Sequence, residues 1–289
     1  MSDRDASGAL SAGNVIGWDG ANINIYNYSG SVASTAPIQV DALANNQDAF
    51  FANVISNAAH LLVSVQGDPG GVGVWISQSN GNTAVWATKA DMGLAALRDD
   101  VDGLEVWGSD TTTAGPLPQF GSDSNRISLA GDPGGFALFR CDLLNPPGGP
   151  GNCNPYAGAT TAAIAAAVIG LNTAYADLTP EEVDLDALMV NEFLDAAGVT
   201  ATQLLFSLQP VAGILDGGEI FVWTIGDAAA SYLNQGGRIW DTANDVTALF
   251  GAENIDALEA SPNAVIPEPG SLALLALGIA GLARARRRN

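Results

Sequence analysis

Positive charge is scarce in this chain of 289 residues. Only 14% of the residues are charged, and 31 acidic residues against 10 basic ones give a formal net charge of −21. Lys89 is the only lysine. A surface this acidic repels nucleic acid and anionic lipid, so we expect no nucleic-acid partner.

The sequence also lacks a clear catalytic motif. The single histidine, His60, lies in the apolar-flanked stretch Ala58–Leu62, where a packed residue is more common than a catalytic base. The sequence contains no Gly-x-Ser-x-Gly elbow and no glycine-rich phosphate loop before a lysine. With 31 acidic residues, some pair will have the carboxylate separation of a glycosidase by accident, so that separation alone carries no signal. We therefore expect a protein that is not an enzyme.

Cysteine is limited to Cys141 and Cys153. The residues between them include the run Pro-Pro-Gly-Gly-Pro-Gly, which disfavours a regular helix or strand. Two cysteines without a nearby histidine make a poor metal site. In an oxidising compartment they would form a disulfide that closes this loop, and we predict that bond.

The chain is long enough to bury a substantial core in one large domain or two small ones. Hydrophobic residues make up 47% of it, and 34 glycines indicate many turns. Frequent turns favour β structure over helical bundles.

An internal repeat also indicates β structure. The tripeptide Asp-Ala-Leu or Asp-Gly-Leu begins at Asp41, Asp102, Asp186 and Asp256. After each of the first three copies comes a serine-containing alternating stretch, at 61–66, 126–130 and 204–208. A glycine-rich turn follows, and its Asp precedes an aromatic residue by seven positions, as in Asp68 and Trp75, Asp132 and Phe139, and Asp216 and Trp223.

Each unit is typical of four short strands. We predict an all-β fold of repeated four-stranded units over residues 14–260, either a small β-propeller-like ring or a β-sandwich, after a disordered segment at 1–13. The repeat Asp is predicted to cap the turn before its strand, and the tryptophans to belong to the core. The alanine-rich stretch Thr160–Ile169 is predicted to form a short surface helix.

One segment has the spacing of a calcium loop. Asp100-Val-Asp102-Gly-Leu-Glu105 begins in that way, although its end alternates like a strand. If calcium binds, the predicted ligands are Asp100, Asp102, Glu182 and Asp184. No other cofactor is predicted.

The last 25 residues differ from the rest of the chain. Pro267, Glu268 and Pro269 interrupt regular structure within a linker at 261–270. Residues 271–283 are uncharged and apolar, and the basic residues Arg284, Arg286, Arg287 and Arg288 follow. Arginines after an apolar helix hold that end in the cytoplasm, so 271–289 is predicted to be a transmembrane helix that leaves the body outside.

The order Pro-Glu-Pro, apolar helix and arginine cluster over residues 265–289 resembles the PEP-CTERM sorting signal of exopolysaccharide-producing Gram-negative bacteria. The resemblance implies export, transient anchoring in the membrane, and processing by an exosortase. It also implies a final location at the cell surface or in the biofilm matrix, with exopolysaccharide as a candidate partner. Export requires a signal peptide, and residues 1–8 have neither a basic start nor an apolar stretch, so we expect the true N-terminus upstream.

The sequence therefore predicts an exported, non-catalytic protein with a structural or adhesive role in an extracellular layer. Two alternatives stay open. One is a carbohydrate- or calcium-binding module, marked by exposed tryptophan pairs or clustered aspartates. The other is a secreted glycan hydrolase, marked by two carboxylates in a deep pocket.

Overall fold

The computed structural model describes residues 14–18, 23–27, 40–44, 60–65, 72–78, 83–89, 101–107, 124–129, 133–142, 152–194, 198–235, 238–242 and 255–258. Most of these residues lie in β-strands, with one α-helix and short 3-10 turns besides. Within the ranges given, no helix has both the length and the apolar character needed to cross a membrane.

Three four-stranded antiparallel sheets follow one another along the chain, and in each sheet the strands are neighbours in chain order. A two-stranded hairpin precedes them, formed by β1 (Asn14–Trp18) and β2 (Ile23–Asn27). The first sheet contains β3 (Val40–Ala44), β4 (His60–Val65), β5 (Val72–Gln78) and β6 (Thr83–Thr88). The second contains β7 (Val101–Trp107), β8 (Ser124–Leu129), β9 (Phe139–Asp142) and β10 (Asn152–Pro155). The third contains β11 (Leu185–Leu194), β12 (Thr200–Leu208), β13 (Phe221–Thr224) and β14 (Ser231–Tyr232), and a short hairpin of β15 (Asn234–Gln235) and β16 (Arg238–Ile239) follows it.

Glycines shape the turns between the second and third strands. Gly134 and Gly135, between β8 and β9, have φ values of 73° and 75°, and Gly217, between β12 and β13, has a φ of 85°. Side-chain-bearing residues rarely adopt this left-handed region, which explains glycine at these three positions. The corresponding turn at Asp68 lies outside the described residues.

Each of the three sheets has a β-bulge at the same point of its first strand. In β3 the residues on either side of Asp41 pair with consecutive residues of β4, so Asp41 is the extra residue. Asp102 in β7 and Asp186 in β11 occupy the same position. A bulge bends its strand and increases the local twist. The prediction that this Asp caps a turn before the strand was wrong, because the residue lies within the strand.

The first strands of the three sheets contact one another, with β7 touching both β3 and β11. Residues 101–105 of β7 are all buried, so this strand is covered on both faces. Gly103 lies so close to β11 that a Cβ atom there would be 2.5 Å from Leu188 Cβ. The backbone N–H of Val190 in β11 donates to Glu105 Oε2 in β7 at 3.0 Å. A first strand forms the edge of its own sheet, and these contacts cover an edge that would otherwise be open to pairing.

The single helix of the described residues, α1 (Thr161–Leu171), joins the second sheet to the third. Its N-cap is Thr160. The Oγ1 of Thr160 accepts the backbone N–H of Ala163 at 3.1 Å and so satisfies one of the donors left free at the start of a helix. Ile164 and Val168 are fully buried against the third sheet, and the Ala167 carbonyl accepts the N–H of Ala230 at 2.8 Å. The predicted helix is thus present at the surface, with Ala162, Ala166 and Gly170 exposed, and its other face is part of the core.

The core consists of successive apolar clusters. One joins the first and second sheets around Leu62, Leu104 and Ile127. The largest contains α1 and one face of the third sheet, including Phe206 and Trp223. Burial of Trp223 and Trp240 confirms their predicted place in the core, and the side chains of the other four tryptophans are outside the described set.

The prediction of an all-β fold is confirmed in that the described residues are mostly antiparallel sheet with little helix. The closed ring, the sandwich alternative and the domain boundaries at 14–260 and 261–270 stay predictions. Residues 1–13 and the proposed transmembrane helix at 271–289 lie outside the described residues.

Candidate functional site

A recurring hydrogen bond connects each sheet to the next segment of the chain. Ser64 Oγ on β4 donates to the carbonyl of Val101 at the start of β7. Ser128 Oγ on β8 donates to the carbonyl of Leu185 at the start of β11, at 3.4 Å. In both cases the accepting residue directly precedes the bulged Asp. The serine hydroxyl therefore holds the start of the first strand of the following sheet.

The third serine holds the last described segment of the chain. Ser207 Oγ on β12 donates to the carbonyl of Ile255 at 2.6 Å, and Ile255 directly precedes Asp256. The N–H of Ile255 donates to the carbonyl of Gly217 at 3.0 Å. Residues 255–258 are at most 8% exposed. The segment Ile255–Leu258, called the terminal segment below, therefore docks against the third sheet as β7 and β11 dock against the sheets before them.

The apolar side chains of the terminal segment fill a separate cluster. Ile255 and Leu258 pack with Ala187, Ile220 and Trp240. Ile220 is also tied to Trp240 through the backbone, since its N–H donates to the Trp240 carbonyl at 3.1 Å. The cluster thus joins the third sheet, the chain after β16 and the terminal segment.

The turn at 216–219 supports the terminal segment. Glu219 Oε1 accepts the N–H of Asp216 at 3.1 Å, and Glu219 Oε2 accepts the N–H of Gly217 at 2.9 Å. Asp216 in turn accepts the Gly218 N–H at 2.8 Å and the Thr242 hydroxyl at 2.8 Å. The same Gly217 whose N–H binds Glu219 offers its carbonyl to Ile255, so the turn and the terminal segment are directly connected.

Burial raises the pKa of Glu219 to about 7. The neighbouring Asp216 carboxylate adds to the increase, while hydrogen bonds from the backbone N–H groups of Glu219 and Asp216 oppose it. A carboxyl group with such a pKa is a frequent sign of a catalytic acid. Here the side chain is only 5% exposed and both oxygens accept hydrogen bonds from the turn. Its arrangement suits bracing of the turn better than contact with a substrate.

An aromatic group lies beside this turn. The hydroxyls of Tyr175 and Tyr232 are hydrogen-bonded to each other, and Phe221 stacks on Tyr232 with ring centroids 5.8 Å apart. Burial and the Tyr232 hydroxyl raise the pKa of Tyr175 well above its ordinary value, with smaller contributions from Glu219 and Asp216. Tyr175 is therefore neutral at physiological pH and acts as a buried hydrogen-bonding group.

Cys141 and Cys153 are directly opposite each other in the β9–β10 pair and form a disulfide with Cα atoms 4.0 Å apart. The expectation that regular structure avoids this region was wrong at its ends, because both cysteines lie in strands. The bond cross-links two neighbouring strands, and Cys141 packs into the cluster between the first and second sheets.

The four predicted calcium ligands are distributed as follows. Asp102 is buried at the β7 bulge, and Glu182 is exposed, where its Oε2 accepts the N–H and hydroxyl of Thr179. Asp184 is half-buried just before β11, and Asp100 is outside the described residues. Nowhere in the described ranges do three or more His, Cys, Asp or Glu side chains come together as a metal site. The calcium ligand set stays a prediction.

The serine stretches and the turn at Asp216 are visible in the sequence, but their roles are not. The signal available was a serine in the second strand of each of the three sheets, at Ser64, Ser128 and Ser207. What these hydroxyls bind is between 37 and 57 residues away along the chain, which no local pattern indicates.

The sorting residues Pro267, Glu268 and Pro269 and the arginines Arg284, Arg286, Arg287 and Arg288 lie beyond the last described segment. Comparison with curated proteins and with solved structures finds no match. Comparison with protein families finds a match at residues 265–288. The match is to the PEP-CTERM protein-sorting motif, so this chain carries at its C-terminus a motif associated with export and with processing by an exosortase.

Proposed function

We propose that this protein is a non-catalytic component of an extracellular layer, displayed or released after an exosortase processes its C-terminal tail. The observation that carries the proposal is the sorting motif at 265–288. In the proposal, the apolar run 271–283 anchors the chain briefly in the membrane, with Arg284 and its neighbours on the cytoplasmic side.

The body suits a structural or adhesive role. Its strongly acidic composition favours solubility and disfavours contact with anionic lipid. Of the five buried acidic side chains in the described residues, Glu105 and Glu219 accept backbone N–H groups, which account for the burial of these two. We further propose that the three sheets, β1–β2 and the terminal segment form a small propeller-like array of related units, with matrix polysaccharide as its contact.

The first experiment is intact mass and fractionation of the protein in its own host, with Pro267-Glu268-Pro269 intact or replaced by three alanines. The proposal expects a mature form that lacks the tail, at the surface or in the medium, only when the motif is intact.

The control is Pro262→Ala, which keeps the length of the chain and alters a proline outside the matched residues. This variant is expected to mature normally. A full-length chain that stays in the cytosol with its first methionine would overturn the proposal.

A further inference from the structure

The far end of the third sheet extends as a two-stranded ribbon. β13 pairs with β12 only as far as Gln203, whereas β11 and β12 stay paired as far as Leu194 and Thr200. Along β11, the side chains at 185–188 are buried and those at 191–194 are all exposed. The exposed stretch 191–194 is called the β11 tip below.

The β11 tip exposes apolar side chains on both of its faces. Phe193 is 36% exposed and Leu194 is 70% exposed, and Val199 at the start of the returning chain is 61% exposed. Successive residues of a strand point to opposite faces, so Phe193 and Leu194 lie on different faces of the ribbon. An exposed apolar edge strand is a template for pairing with another strand.

The backbone of this edge has the alternation that such pairing needs. The N–H of Val190 donates to Glu105 of β7, on the side away from β12. In an antiparallel ladder the outward-facing groups recur at every second residue, so the N–H and C=O of Leu194 face the same side. On the other side of the ribbon, the Thr202 carbonyl accepts the N–H of Ile225 at 2.8 Å, which agrees with this alternation.

We propose that the partner at this edge is a second copy of the chain, so that two β11 tips pair antiparallel about a two-fold axis. Such an axis makes each tip pair with the same stretch of the other copy. Opposite residues of an antiparallel pair share a face, so the axis passes beside one residue of the tip. The candidates within the tip are Glu192, Phe193 and Leu194.

Charge and strand length select Phe193 as the residue on the axis. An axis at Glu192 places two carboxylates directly opposite each other, which is destabilising. An axis at Leu194 moves the pairing past the end of β11. With the axis at Phe193, the two phenyl rings meet in a non-hydrogen-bonded pair, where opposite side chains are closest. Leu194 of each copy then lies opposite Glu192 of the other.

The size and charge of the contact make it weak. Four residues on each side are far fewer than the roughly 20–30 of a stable interface, so we expect association only at high protein concentration. The acidic body adds repulsion between copies, and salt screens that repulsion. The association should therefore strengthen as salt is added, whereas a contact held by ion pairs would weaken.

The direct test is cysteine cross-linking of the full chain under mild oxidation. The two native cysteines are bonded to each other. Phe193→Cys should give a disulfide-linked dimer, because Cα atoms about 4.5 Å apart suit a disulfide. Asn191→Cys is the matched control, exposed on the same face. Its two copies would be about 14 Å apart, so its dimer yield should be lower by about tenfold or more. Equal yields, or no dimer from Phe193→Cys, would overturn the pairing.

The second test is sedimentation equilibrium of the full chain over a range of protein and salt concentrations. Leu194→Glu sets a carboxylate opposite Glu192 of the other copy and should weaken association about tenfold. Ile239→Glu makes the same change at a residue that is 54% exposed on β16, and it should leave association unchanged. The apolar run 271–283 is present in every variant, so the comparison isolates the tip. Equal association of the two variants would assign self-association to another surface and overturn the proposal.

A lipid surface is the alternative occupant of the tip, although the carboxylate of Glu192 disfavours it. A polarity-sensitive dye on the Asn191→Cys protein should respond to rising protein concentration and not to phosphatidylcholine vesicles at fixed concentration. The reverse response would assign the tip to lipid and overturn the pairing. These outcomes do not involve the sorting motif, so the pairing and the proposed function can fail independently.

Discussion

At the scale of single residues, close contact between neighbouring first strands demands a small side chain after the bulged Asp. Two of these three positions hold alanine, at Ala42 and Ala187, and the third holds Gly103, while Ala257 follows Asp256 in the terminal segment. All four are buried. At Gly103 the space is very small, since a Cβ would be 2.4 Å from Ser128 Oγ and 2.5 Å from Leu188 Cβ.

Gly103→Ala should therefore destabilise the protein by about 1–3 kcal/mol, because an added methyl group forces β7 and β11 apart. The measurement is the free energy of unfolding in urea. Ala187→Gly, at the equivalent position of β11, is the control. It should lower the free energy of unfolding by ~1 kcal/mol, because glycine gives the unfolded chain more conformational freedom. A Gly103→Ala protein as stable as the unaltered one would show that the contact is not tight.

The raised pKa of Glu219 predicts a pH dependence of the free energy of unfolding whose sign is opposite to that of most carboxylates paired in the folded state. Its pKa rises from 4.5 in the unfolded chain to about 7 in the folded protein, so the folded state binds the proton more tightly. Stability should therefore increase as the pH falls from about 8 to about 5.5, by about 2 kcal/mol from this group. Urea unfolding at several pH values measures the slope.

Glu219→Gln should flatten that slope, because glutamine does not titrate. The unaltered protein, measured over the same pH range, is the comparison. An unchanged slope in Glu219→Gln would assign the pH dependence to another group.

At the scale of elements, the connection between sheets depends on the serine hydroxyls of the second strands. Ser64→Ala and Ser128→Ala each leave a buried strand carbonyl without its donor and should cost about 1–3 kcal/mol. Ser231 is a matched control, since it is exposed and its contact with the Val222 carbonyl is 3.5 Å long. Ser231→Ala should change stability by less than about 0.5 kcal/mol. Thermal or urea unfolding compares the three.

The Cys141–Cys153 disulfide closes a short loop between paired strands, with a sequence separation of 12. Replacement of both cysteines by serine should lower the free energy of unfolding by about 2–4 kcal/mol, mainly because the unfolded chain gains freedom. The reduced unaltered protein is the comparison and should lose a similar amount. Equal stability of the oxidised and reduced forms would show that β9 and β10 need no cross-link.

At the scale of the whole molecule, charge is divided between an acidic body and a basic end. Arg284 and its three neighbours offset part of a net charge that is otherwise four units more negative. The full chain should float with vesicles of zwitterionic and anionic lipid, and a chain that ends at Ala260 should not, because an acidic body has no affinity for that surface. Flotation on a density gradient measures this difference.

Local patterns in the sequence were enough to predict the strands, the helix and the sorting motif. Strand alternation, glycine pairs in turns and the order Pro-Glu-Pro, apolar run and arginines all act over short stretches of neighbouring residues. The burial of Trp223 and Trp240 followed from the same periodicity. The motif at 265–288 consists of neighbouring residues, so it can be identified without the tertiary structure.

Only the tertiary structure decided what the repeated Asp and Ser residues do. The Asp is a bulge within a strand, and the Ser hydroxyl reaches a carbonyl on the following unit, because sheets that pack side by side must satisfy backbone groups at their edges. The raised pKa of Glu219 and the docking of Ile255–Leu258 likewise depend on burial by distant residues. Such contacts join positions that are tens of residues apart along the chain. The burial and hydrogen bonding that stabilise them arise only when the chain folds, so no local sequence pattern indicates them.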